Sequence, residues 1–262
     1  MRSIFFTLVS ALLAVVPASG QDQSVERSSL FALENGDQIE DAGVIRVAGG
    51  RFARTESFEV VRRADGGRTI TSVITGADGS YRVEGKWVYD ANDTARSAEG
   101  RAVYDGTPAT IMITSQPPVA VVSVSSGAVA RTIPAPCDPD CLIDMAPSTL
   151  PMFTMTRLFD PAGPDTQTFR WIGQGLTVDQ VLLEGAADLE LVDTGKVEGM
   201  TVSQYKFVER LTDAESGAQR SFAFNLWVDD GQRPIAFGTA GGTLGVRDGY
   251  ESVPAALPGQ FD

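Results

Sequence analysis

Apolar and polar residues alternate along most of this chain, at the period of two that a half-buried β-strand requires. In "YRVEGKWVYD" (81–90), Tyr81, Val83, Trp87 and Tyr89 share one face, and Arg82, Glu84 and Lys86 share the other. In "RSFAFNLWVDD" (220–230), Phe222, Phe224, Leu226 and Val228 line one face, with Trp227 on the opposite one. "ESFEVVRR", "RTITSVIT", "ATIMIT", "PVAVVSVSS", "TQTFRWIG", "DLELVD", "VSQYKFVERL" and "RPIAFGT" read as further strands, roughly ten in all. Asp-Gly or Asn-Gly pairs at 35–36, 65–66, 78–79, 105–106, 230–231 and 248–249 supply hairpin turns between strands.

Helical signal is scarce. "LTVDQVLLEG" (176–185) fits a short helix or another strand. "PSTLPMFTMTRLF" predicts one helical turn capped by Ser148 or Thr149 and limited by Pro151. The Pro-rich piece "TIPAPCDP" (132–139) reads as a break between earlier and later strands. The pattern predicts a mainly β fold, an antiparallel curved half-barrel or barrel with few short helices. The long irregular apolar segment at about 133–160 would serve as its lid.

The ends set the compartment. Arg2, the apolar run Ile4–Val16, and Ala18 and Gly20 before Gln21 make residues 1–20 a secretory signal peptide. A periplasmic or secreted β domain over 21–262, about 240 residues, is expected to follow, with no transmembrane segment. The net charge of -13 argues against nucleic acid as a partner. The chain has no histidine, which removes the common triads, dyads and His-ligated zinc sites. No enzyme chemistry and no cofactor is expected.

Both cysteines lie in "CDPDCLIDMAPSTLPMFTM" (137–155). Two thiols without histidine make a poor zinc site, and three intervening residues do not match a redox motif. In an oxidising compartment Cys137 and Cys141 are expected to form a disulfide that pins the start of an apolar loop. Asp138, Asp140 and Asp144 lack the glycine and distal glutamate of a calcium loop and read as a solvated acidic turn. Met145, Met152, Met155 and Phe153 read as core or lid packing, or as ligand lining; copper is a third possibility.

"FAFNLWVDDGQRPIAF" (222–237) resembles a late hairpin of the periplasmic lipoprotein-carrier-like fold, a curved half-barrel closed by a lid. That resemblance implies a concave apolar face able to hold a lipid-like group, and it brings no catalytic residue. The expected function is therefore non-enzymatic binding of a lipid-like or amphipathic molecule. The candidate ligand-binding residues are Tyr81, Trp87, Met145, Met152, Phe153 and Trp227. Period-two geometry places the Phe222/Phe224/Leu226 set and Trp227 on opposite faces, so only one of them can line such a cavity. Two rival readings remain: an interaction module of an envelope assembly whose core is filled, and a carboxylate-based glycan hydrolase.

Overall fold

In the computed structural model, the described residues are 25–49, 53–104, 106–138, 141–145, 147–175 and 182–258. The signal-peptide segment, Asp140, and 176–181 of the ambiguous "LTVDQVLLEG" stretch lie outside them.

The chain begins with an antiparallel meander: β1 (Gln38–Ala48), β2 (Arg54–Arg62), β3 (Arg68–Gly76), β4 (Tyr81–Tyr89), β5 (Ala95–Tyr104), β6 (Thr107–Gln116), β7 (Val119–Ser126) and β8 (Val129–Pro136). After the cysteine loop come β9 (Leu142–Met145) and helix α1 (Leu150–Met155). A second meander follows: β10 (Thr166–Gln174), β11 (Leu182–Val197), β12 (Met200–Asp213), β13 (Gln219–Asp229), β14 (Pro234–Thr239) and β15 (Leu244–Arg247). Helix α2 (Val253–Ala256) ends the described chain.

The two meanders join where β15 pairs antiparallel with β1, giving one 15-stranded sheet with β8 and β9 at its edges. The sheet curves strongly but does not close into a barrel. β9 pairs with β10 in parallel, because α1 and the segment after it carry the chain back in the same direction. Register shifts at Ile39/Asp41, Val88/Tyr89, Leu191/Asp193 and Trp227/Val228 add bends.

Most predicted turns form as expected. Gly36, Gly66, Gly79, Gly106 and Gly249 adopt positive φ; in the 230–231 turn Gln232 does so instead of Gly231. The Pro-rich piece differs from its prediction: residues 132–136 are not a break but the end of edge strand β8. Proline is tolerated there because an edge strand leaves one side of the ladder unpaired.

The sheet wraps one continuous core around β9 and α1. Ile74, Trp87, Ile111, Ile113, Trp171, Phe207 and Leu226 contribute from the sheet, and Leu142, Met145, Phe153 and Met155 from the inserted segment. Every residue of α1 is buried. Thr149 stands at the N-cap, as predicted, but its side chain makes no capping bond; Ser148 Oγ instead accepts the Leu150 N–H at 3.3 Å. Gly85 is required beneath Trp87, since a Cβ there would collide with the indole ring. A smaller core on the opposite face gathers Val202, Trp227, Ile235 and Val253 under α2.

Candidate functional site

The segment expected to be a lid is a plug. Residues 142–155 fill the concave face instead of roofing an open cavity, and β9 packs against β5 across the curve. Trp87, Met145, Met152 and Phe153 are brought together in that filled core. Tyr81 is partly buried at its margin, stacked on Tyr104 with ring centroids 5.5 Å apart. Trp227 is not part of this constellation. It lies on the opposite face, where its Nε1 donates to the Leu257 carbonyl at 2.9 Å. The Phe224/Leu226 face is the one that joins the concave core. The space left between α1 and the strands, beside Phe153 and Arg157, measures only about 20 Å³, room for about one water.

The disulfide forms between Cys137 and Cys141, with Cα atoms 5.4 Å apart. It spans the gap between the two sheet edges, β8 and β9. The Cys137 N–H donates to the Pro118 carbonyl at 2.9 Å, tying this loop to the start of β7.

Beside the disulfide lies a cleft of about 640 Å³, within the roughly 300–1,000 Å³ of small-molecule sites. It opens between the disulfide loop, the start of β10 and the β4–β5 turn. Leu142, Leu158 and Phe169 supply apolar wall. Charged groups rim it. Arg96 pairs with Asp90; Arg170 lies 3.6 Å from Asp138 and donates to the Pro136 carbonyl at 3.2 Å. The Asp90 carboxyl also accepts the Asn92 and Thr94 N–H groups, which fixes the turn and holds its acid below the usual carboxylate range.

Sequence reasoning missed a group of buried polar residues. Glu56 is fully covered and accepts from Ser148 Oγ at 2.6 Å, Thr149 Oγ1 at 2.8 Å and the Thr149 N–H at 3.3 Å. Both hydroxyls expected to cap α1 donate to this acid. Asp144 is half-buried, yet its Oδ1 is fully covered and has no hydrogen-bond partner. Burial, with Glu56 nearby, pushes the Asp144 carboxyl up to about 7. Burial, with Asp144 nearby, pushes Glu209 up to about 8. The signal for Glu56 and Glu209 was present. Glu56 shares the period of Phe58 and Val60, and Glu209 that of Phe207 and Leu211, so each is a carboxylate at an inward position.

At the far end of α1, Arg157 approaches Glu40 at 3.8 Å, and Arg68 bonds both Glu40 and Asp93. This network fastens the plug's exit to β1, β3 and the β4–β5 turn. Among the described residues, no group of three or more Cys, Asp or Glu side chains is placed to hold a metal ion. No helix among them is long and apolar enough to cross a membrane.

No protein-family model and no curated protein sequence matches the chain. Among solved structures, the crystal structure of a duf1089 family protein from Pseudomonas aeruginosa is similar. Its TM-score is 0.41 at 15% identity, over 69% of this chain and 87% of that one.

Proposed function

We propose that this is a non-enzymatic, periplasmic or secreted protein that binds a lipid-like, amphipathic molecule. The cleft beside the disulfide carries this reading. Its apolar wall of Leu142, Leu158 and Phe169 suits an acyl chain, and its rim of Arg96, Arg170 and Asp138 suits a polar headgroup. Burying apolar ligand surface there would contribute roughly 25 cal/mol per Å² before ordering costs. The signal-peptide pattern and the disulfide support the extracytoplasmic placement. The resemblance of the β13–β14 hairpin to lipoprotein carriers supports the same ligand class.

The test is a titration of the purified chain with oleate and with a lysophospholipid, followed by intrinsic tryptophan fluorescence or calorimetry. Phe169→Ser is expected to weaken binding about tenfold or more, by removing an aromatic wall. Saturable binding that Phe169→Ser leaves unchanged would contradict the assignment to this cleft.

The filled concave face favours a second reading, an interaction module of an envelope assembly. Under that reading neither lipid binds, and the chain is recovered with a protein partner instead. Glycan hydrolysis by carboxylates draws little support from the cleft: neither Asp144 nor Glu209 lines it, and the acids that do, Asp90, Asp93 and Asp138, are each paired with an arginine.

A further inference from the structure

The charged side chains around the cleft differ in how far each is already matched. Asp90 accepts from Arg96 and from the Asn92 and Thr94 N–H groups. Asp93 accepts from Arg68, which is shared with Glu40. The Thr168 hydroxyl donates to Asp188 at 2.7 Å. One pair is left loose. Arg170 on β10 and Asp138 of the disulfide loop lie 3.6 Å apart, beyond hydrogen-bond reach. Arg170 donates through Nε alone, to the Pro136 carbonyl, which fixes one edge of its guanidinium. Its terminal nitrogens donate to no acceptor among the described residues. The Asp138 carboxylate accepts no hydrogen bond among them either, and its side chain is 67% exposed. Both groups line the cleft together with Leu142 and Phe169.

We propose that the cleft takes a zwitterionic headgroup, with its anionic oxygens on Arg170 and its ammonium on Asp138. A headgroup lying antiparallel across this pair sets each of its charges on the opposite charge of the protein. A bare anion fits worse. Three aspartates line the cleft against two arginines, and an anion on Arg170 would leave Asp138 facing a like charge. A bare cation on Asp138 would do the same to Arg170. The Asp90–Arg96 and Asp93–Arg68 pairs offer no alternative, since a ligand would have to break them first. Ion pairs as exposed as Arg170–Asp138 contribute little each. The headgroup therefore selects, while the apolar wall of Leu142, Leu158 and Phe169 supplies most of the affinity. This inference rests on the amphipathic-ligand reading above and narrows it to one headgroup class.

The experiment is calorimetric titration of the purified chain, disulfide intact, with amphiphiles that share one C18 monounsaturated chain. Oleoyl lysophosphatidylcholine is the zwitterion, oleoyl lysophosphatidylglycerol the anion, monoolein the uncharged probe and oleylamine the cation, each below its micelle-forming concentration. Glycerophosphocholine supplies the zwitterion without an acyl chain. Lysophosphatidylcholine is expected to bind about fivefold or more tighter than the other three amphiphiles. Arg170→Gln is expected to bring it down to the level of monoolein. Asp138→Asn is expected to raise lysophosphatidylglycerol to match it, because the opposing acid is gone. Both side chains are on the exposed rim, and circular dichroism confirms that the variants fold. Equal affinity for all four amphiphiles, a preference for the anion or the cation, or a zwitterion preference unchanged in both variants would overturn the proposal. Equal affinity leaves the lipid reading standing. Glycerophosphocholine that binds as tightly as lysophosphatidylcholine, with the same response to the two variants, supports the headgroup assignment and contradicts the acyl-chain reading. Failure of all five probes to bind overturns both.

Discussion

Glu56 organises the turn between β9 and α1. It is fully covered, and it satisfies two hydroxyls and one N–H at the turn between β9 and α1. Glu56→Ala is expected to cost about 2–4 kcal/mol, because those donors would be left buried and unpaired. Denaturant unfolding measures that loss as a drop in midpoint at unchanged slope. Asp144 acts in the opposite sense. Its raised value means that the folded state loses stability as pH climbs from the ordinary carboxylate range through about 7. Asp144→Asn is expected to be near neutral at about pH 3 and to stabilise by on the order of 2–4 kcal/mol at about pH 8. Thermal melts of both proteins at the two pH values check it; equal shifts at both would contradict the assignment. At Gly85, alanine would press a methyl group into the Trp87 ring, and a cost of about 1–3 kcal/mol is expected by the same unfolding measurement.

At the scale of elements, the strands with large alternating side chains were legible: β2, β3, β4, β6, β7, β10, β11, β12, β13 and β14 all contain a predicted run. β5 was not. Its inward residues are Ala98, Gly100 and Ala102, so no apolar alternation stands out. They are small for a structural reason, since Trp87 lies on the neighbouring strand and β9 packs against β5. β8 was hidden by Pro134 and Pro136, which signal a break unless the strand is known to be an edge. β9 depends on a partner, β10, on the far side of α1, and a short apolar run cannot announce a parallel pairing. The cysteine pair was read correctly. What local pattern could not convey is that the segment after it goes inside the curve. Removing the disulfide with Cys137→Ser and Cys141→Ser is expected to cost about 2 kcal/mol, small because the closed loop is short. The loss should appear first as faster exchange in 142–145, the strand that the disulfide anchors.

The whole molecule is a long sheet curled around one of its own edges. Both ends of that sheet meet at the disulfide, and the one large cleft described here opens at that meeting point. The candidate site was therefore only partly legible. Leu142 and Cys141 come from the stretch the sequence singled out, but Leu158, Phe169, Arg96 and Arg170 reach the cleft by topology alone. Trp227, attractive as a strand tryptophan, faces the other way. The chain carries 34 acidic against 21 basic residues, an excess that disfavours anionic membrane surfaces. The most direct measurement is native mass spectrometry of the chain purified from its own compartment, followed by denaturation and lipid analysis of whatever is released. A stoichiometric amphipathic molecule, lost or depleted in Phe169→Ser, is the predicted result. A bare polypeptide mass that stays bare after addition of fatty acid or lysophospholipid would contradict the account.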